Sequence, residues 1–398
     1  MRIKRSDIAK YTLFAYFILS PVYVFRSGLP QPSDYIAAFL LFPWTLFSLS
    51  KLPTWLKFKL KPYATLVFWI FCINLAHGFL LSAPGMLVRS AFYIFGLLFC
   101  IGIAILYSLY KAISFFELMQ QFLAIASFTA LILFILTWNL DLFRHTGSFN
   151  NPNQAAYFGI LITCLSIISA WAINRWGVLF ISSIVSSSLL VTLTYSGGAL
   201  AAQLLALTGL PVIILTSSQA KLRVKYSLLI FILAIYISVP LVLSSNSPKV
   251  NTVLNNWDRR SARLERKAED IVDGRGYNRI LNFPGYLILG AGEGESWRFT
   301  NEIGGPGEIH STFANILFSY GFIGLFLWCR FIFRSMKGAP LGIWIVVSAP
   351  LVYGITHQGA RQPLFWLVFV LVAIAVTSKR YFLTGLGSTA NSDLNQVN

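Results

Sequence analysis

Residues 87–109 read LVRSAFYIFGLLFCIGIAILYSL, with Arg89 near one end as the single charged side chain. A helix rises about 1.5 Å per residue, so this run can cross the roughly 30 Å hydrocarbon core of a bilayer. Comparable apolar runs lie at 11–29, 35–50, 63–83, 117–138, 154–173, 177–194, 196–216, 226–244, 311–333, 340–356 and 363–378. Together they predict about twelve transmembrane helices, of which the second, eleventh and twelfth are short. Composition agrees: 56% of the chain is hydrophobic and 11% charged, with 34 Phe, 17 Tyr and 11 Trp. Soluble domains carry about 25% charged residues. The expected fold is an all-α polytopic membrane protein, with a single membrane domain over residues 1–380.

The formal net charge of +17 would suggest a nucleic-acid partner in a soluble chain. Its distribution argues otherwise. With twelve spans and an inside N-terminus, more than half of the 31 basic residues fall in the inside segments, beside only Asp7, Glu117 and Asp393 as acids. That is the asymmetry that orients membrane proteins, so the basic excess reads as topology and no nucleic acid is expected. The first apolar run follows a basic stretch, as in a signal peptide. No small-x-small cleavage pattern follows it, and it is read as a retained helix. Cys72, Cys100, Cys164 and Cys329 fall inside predicted spans without metal-ligand spacing and read as small packing residues.

One connection is long. Residues 245–310 form an outer loop between helices nine and ten, and loops of that length are usually functional. Within it NNWDRRSARLERKAEDIVDGR predicts an amphipathic helix, with Leu264, Ala268, Ile271 and Val272 on one face. Such a helix can simply lie on the bilayer surface, or it can roof a cavity. Then comes GRGYNRILNFPGYLILGAGEGESWRF, whose glycines permit tight turns and close backbone approach to a ligand. No βαβ context surrounds it, so a dinucleotide reading fails. The polar tail 381–398 has the composition of a disordered segment.

Four histidines, His77, His145, His310 and His357, fall near the outer face of this topology. None pairs at metal-ligand spacing, and no Asp-x-Asp is present to hold a divalent metal–diphosphate complex. No metal and no cofactor is expected. His310 directly precedes Ser311 and Thr312, good caps for the tenth helix. A helix N-terminus favours anions and disfavours imidazolium, so His310 is placed to act as a neutral base beside an anion. The plainer reading is a polar residue marking a helix start.

Arginines supply the complementary group. Arg275 and Arg279 flank GYN in the long loop, and Arg89, Arg144 and Arg361 sit near outer helix ends. Guanidinium groups match phosphate oxygens bidentately, so these five are candidates for neutralising a diphosphate. Each could equally be a surface arginine meeting lipid headgroups. At the outer start of the sixth helix, FNNPNQAAY offers Pro152 for a first turn. Asn150, Asn151 and Asn153 suit capping or sugar hydroxyls. Asn150, Asn153 and Asn315 are the glycan-binding candidates.

Taken in order, FNNPNQAAY, TYSGGALAAQLLAL, GRGYNR…LILGAGEGE, HSTFANILFSYGFIG and HQGARQPLFWLVFVL resemble the O-antigen ligase and Wzy-type O-antigen polymerase family over roughly residues 140–378. The first 140 residues match only as generic spans. The resemblance implies a GT-C-like, twelve-helix enzyme of the bacterial inner membrane, with cytoplasmic termini and a periplasmic site. It implies a metal-independent, inverting glycosyltransferase that takes an oligosaccharide from undecaprenyl diphosphate to an acceptor hydroxyl. The acceptor would be a second lipid-linked glycan in a polymerase or lipid A–core in a ligase, with polymerase favoured and a chain-length regulator as a further partner. The family's loop arginine corresponds to Arg275, with Arg279 as its neighbour, and its histidine to His310. One departure is Ser196-Gly197-Gly198, where many members carry Ser-Arg. That arginine's work would pass to Arg89, Arg144 or Arg361. A lipid-linked glycan transporter or flippase without chemistry is the competing class. Such proteins usually place ionisable residues inside their spans, which are nearly free of carboxylates here.

Overall fold

The computed structural model describes residues 5–26, 28–137, 145–216, 255, 276–299 and 308–383, and among them every regular element is helical. Among the described residues seven helices are long and apolar enough to cross a membrane. These are α4 (Thr54–Leu80), α5 (Gly85–Leu109), α6 (Ala112–Leu136), α7 (Pro152–Ile173), α9 (Gly197–Thr216), α11 (Thr312–Met336) and α13 (Pro363–Leu383). The shorter apolar helices α8 (Val178–Leu193) and α12 (Leu341–Thr356) accompany them, as does α1 (Arg5–Leu19), whose first turns carry Arg5, Asp7 and Lys10. A further short helix, α10 (Asn278–Asn282), lies in the long connection. The ninth apolar run, 226–244, the amphipathic segment 257–273 and the tail beyond 383 lie outside the described residues.

Two predicted helices differ from expectation, and proline explains both. The first helix ends at Leu19 instead of continuing to 29, because Pro21 has no N–H to donate. The chain that follows is organised by Gln31, which is buried. Its Oε1 accepts from the Val24 and Phe25 N–H groups, and its Nε2 donates to the Phe25 and Leu29 carbonyls. The second apolar run is broken into α2 (Pro32–Ile36), a π turn at Ala37–Leu41 and α3 (Phe42–Phe47). Pro43 cannot close an α-helical bond, and just before it the Phe42 N–H reaches back five residues to Ala37.

α7 and α13 are the most enclosed helices, 94% and 78% buried over their apolar windows, so they form the centre of the bundle. In the low-dielectric interior, polar side chains join α7 to its neighbours. Thr163 meets Ser187 at 2.7 Å, Ser166 meets Ser183 at 2.6 Å, and Gln203 Nε2 donates to Thr163 and Ser188, each at 2.8 Å. Such bonds hold membrane helices together where lipid removes any hydrophobic preference between them. α4 and α11 pack side by side at the periphery.

α11 is not continuous. Gly321 sits at φ 67°, ψ −173°, which interrupts the hydrogen-bond ladder and releases carbonyls from the preceding turn. The glycine-rich segment takes them up. Ala291 N–H donates to the Phe318 carbonyl and Gly292 N–H to that of Ser319, both at 2.9 Å, while Trp69 Nε1 donates to Tyr320 O at 2.8 Å. The two backbones cross where only glycine fits. A Cβ on Gly290 would stand 2.5 Å from Tyr320 Cα, and one on Gly321 would stand 2.7 Å from the Ile288 carbonyl carbon. The glycines of LILGAGEGE thus serve a crossing of backbones.

Candidate active site

That crossing carries Glu293 into the bundle. Its side chain is 2% exposed and fully engaged. Oε1 accepts from Asn315 Nδ2 at 3.0 Å, Arg361 Nε at 2.9 Å, Arg361 Nη2 at 2.6 Å and Gln358 Nε2 at 3.3 Å. Oε2 accepts from the Tyr320 hydroxyl at 2.6 Å, and the Glu293 N–H donates to Asn74 Oδ1 at 2.8 Å. Burial pushes the carboxyl upward, but the Arg361 charge and the bonds from Tyr320 and Arg361 outweigh it. Glu293 is therefore held below the usual carboxylate range. Arg361 is stabilised reciprocally: burial opposes its charge, and Glu293 and Glu308 more than restore it.

Glu308 extends the network toward the surface. Its Oε2 lies 2.8 Å from Arg361 Nη1 and its Oε1 3.0 Å from Arg89 Nη2. Arg279 is 5% exposed, with its guanidinium 5.6 Å from the Phe299 ring. Burial lowers its basicity while Glu308 acts to restore it. Arg298 lies on the other side of this neighbourhood, 4.8 Å from the same ring and donating to Ala291 O at 2.7 Å. Arg89, Arg279, Arg298 and Arg361 are opposed by Glu293, Glu295 and Glu308, which leaves a positive excess among the described residues. The predicted arginines Arg89, Arg279 and Arg361 are therefore brought together. Arg275 and Arg144 lie outside the described residues. Gly276, next after Arg275 in sequence, packs against Ile309 and Glu308.

His310 follows two residues after Glu308 and is exposed. The helix start behind it is built as expected from its sequence: Ser311 is the N-cap of α11, its hydroxyl accepting from Ala314 N at 3.2 Å. Thr312 then pins the helix start to the last loop. Its N–H and hydroxyl both donate to His357 O, at 3.2 and 3.0 Å, and its Oγ1 accepts from Gly359 N at 2.9 Å. His357 stacks on Tyr353 with centroids 4.2 Å apart, and Tyr353 donates its hydroxyl to Asn153 O at 3.2 Å. Ser196 Oγ reaches Asn153 Oδ1 at 3.5 Å.

The starts of α7, α9 and α11, the glycine crossing and the α12–α13 loop thus meet at one end of the bundle. The asparagines divide their duties. Asn151 is the cap of α7, accepting from Gln154 N at 2.9 Å. Asn153 faces α9 and α12. Asn150 Nδ2 donates to Phe25 O at 2.8 Å and anchors the loop after α1. Asn315 donates to Glu293 and receives Ser319 Oγ at 3.3 Å.

Sequence reasoning overlooked Glu293, Glu308, Asn74 and Tyr320. The signal for Glu293 was a carboxylate between glycines on the way into an apolar helix, but its arginine partner lies far away in sequence. A scan of protein-family models finds no match to this chain, and a search of curated proteins finds no relative.

Proposed function

We propose that this chain is a multi-pass membrane glycosyltransferase that uses a lipid-diphosphate-linked oligosaccharide as donor. The observation that carries this reading is the gathering of Arg89, Arg279 and Arg361 around Glu308, two residues before His310, at one end of an apolar bundle. A positive site at the bilayer surface suits a substrate with an apolar tail and an anionic diphosphate. Twelve helices, an inner-membrane location and a periplasmic site belong to the same proposal, as do undecaprenyl diphosphate as carrier and Arg275 as a further diphosphate ligand.

The residues would divide the work as follows. The acceptor hydroxyl oxygen attacks the anomeric carbon while the bond from that carbon to the diphosphate oxygen breaks. The hydroxyl proton passes to the His310 imidazole, and the electron pair leaves with the lipid diphosphate, which the arginines neutralise. One displacement inverts the anomeric configuration. Glu293 and Glu308 hold the guanidinium groups in fixed directions, and Asn153, in the first turn of α7, would bind sugar hydroxyls. Polymerisation of lipid-linked repeats is the preferred reaction, and ligation to lipid A–core is the alternative.

A transport reading is favoured by one specific observation. Glu293 and Arg361 form an enclosed ion pair beside α4, α5 and α11, and buried ionisable pairs often mark transport paths. Purified protein separates the two: a transferase forms new glycosidic bonds, and a flippase forms none. His310→Ala should remain folded and slow transfer by roughly 10²-fold or more.

A further inference from the structure

The opposite end of α4 and α11 holds a second, unrelated charged feature. A cleft of about 440 Å³ is lined by Phe58, Lys59, Arg330, Phe333, Arg334 and Lys337. Every charged side chain lining it is basic. Neither the segment 51–61 nor the segment 325–345 contains an acidic residue, and among the described residues these four cations form no ion pair. Arg380 of α13 stands close by, against Gly338.

The cleft has a defined construction. Lys59 Nζ donates to the Arg334 carbonyl at 2.7 Å, so a cation caps the C-terminal turn of α11, where the helix field is negative. The Arg334 guanidinium lies 3.6 Å from the centroid of the Phe58 ring. Phe58 and Phe333 are each 63% exposed, although they border a charged cleft. Exposed aromatic rings beside unneutralised cations at the end of a membrane helix match one surrounding: the level where acyl chains give way to headgroups. Along α4 the cleft residue Lys59 lies 15 residues before Asn74, which bonds the Glu293 backbone, about 22 Å at the helical rise, so the two features lie toward opposite ends of the helix.

We infer that this cleft binds the phosphate of an anionic bilayer phospholipid, with the Phe58 and Phe333 rings against its glycerol and upper acyl chains. A phosphodiester supplies a negative charge to a cluster of four basic residues that has no acidic partner among the described residues, and its apolar tail accounts for the exposed rings. The assignment needs only the membrane-spanning helices and is independent of the reaction at the other end.

The test is lipid binding by the full-length protein in detergent, read by native mass spectrometry and thermal stability. The probes are phosphatidylglycerol, phosphatidylcholine and inorganic phosphate. Arg330 and Lys337 are exposed, so Arg330→Gln/Lys337→Gln should fold normally. Lys57→Gln/Lys61→Gln removes the same charge from the same end of α4 outside the cleft. The expected result is retention of phosphatidylglycerol over phosphatidylcholine, weakened about tenfold or more in the first double variant, which removes two charge-assisted contacts from the cleft, and little in the second, whose side chains do not line it. Equal weakening in both double variants would reduce the cleft to general surface charge and overturn the inference. So would phosphatidylcholine bound as tightly as phosphatidylglycerol, or free phosphate stabilising as well as the lipid.

Discussion

Arg361 approaches Glu293 at 2.6 Å across 68 positions of sequence, and the glutamate it meets is 2% exposed. Two charges removed from water at this depth are tolerated because each satisfies the other and because Asn315, Tyr320 and Gln358 complete the carboxylate's bonds. Removing one partner strands the other. Arg361→Met should therefore destabilise the folded protein by about 3–5 kcal/mol. The double variant Glu293→Gln/Arg361→Met should recover part of that loss. Thermal unfolding in detergent checks this, and strictly additive losses would show that the pair is not coupled.

The pair also sets an acid limit. The Glu293 carboxyl is held below its unfolded value of about 4.3, so its stabilising contribution is complete above that pH. It is lost as pH falls through the lower folded value. Stability of the wild type should decline on acidification below roughly pH 4.5, and Glu293→Gln should lack that component. Melting curves across this range in both proteins provide the measurement.

The backbone crossing predicts sharp differences among glycines. Gly321→Ala and Gly290→Ala place a Cβ against a facing backbone at positive φ, at a cost of roughly 2 kcal/mol or more. Gly285 has open space around its Cβ position, and Gly285→Ala should be nearly silent. Yields of folded, monodisperse protein would rank the three.

The site's proposed cations should be sensitive to shape as well as charge. Arg275→Lys and Arg279→Lys keep a positive charge but lose the planar fork. Each should lower the transfer rate by roughly tenfold or more while the melting temperature of Arg275→Lys stays near wild type. Unchanged rates in both would remove these residues from diphosphate binding.

What could be read from sequence was local. The helix starts at Asn151 and Ser311 were legible because a cap is a bond across three residues. Long apolar runs located α4 to α9 and α11 for the same reason. Hydropathy does not register a missing N–H, so the breaks at Pro21 and Pro43 were lost within apolar runs. The Glu293 network was illegible because it depends on a tertiary event. Gly321 interrupts α11, the freed carbonyls draw in residues 291–292, and only then does Glu293 come within reach of Arg361. The order of the five short motifs carried only a resemblance, and the chemistry it implies rests on the proposal above.

The decisive measurement is product formation by purified protein in nanodiscs, supplied with the lipid-linked oligosaccharides that accumulate in cells deleted for this chain. Lipid A–core would be present or absent, and His310→Ala would run in parallel. The account predicts a ladder of lengthening lipid-linked glycans that needs no lipid A–core and largely disappears in His310→Ala. Transfer only when lipid A–core is added would replace the polymerase with a ligase. A folded wild-type protein that forms no new glycosidic bond with either acceptor would contradict the account.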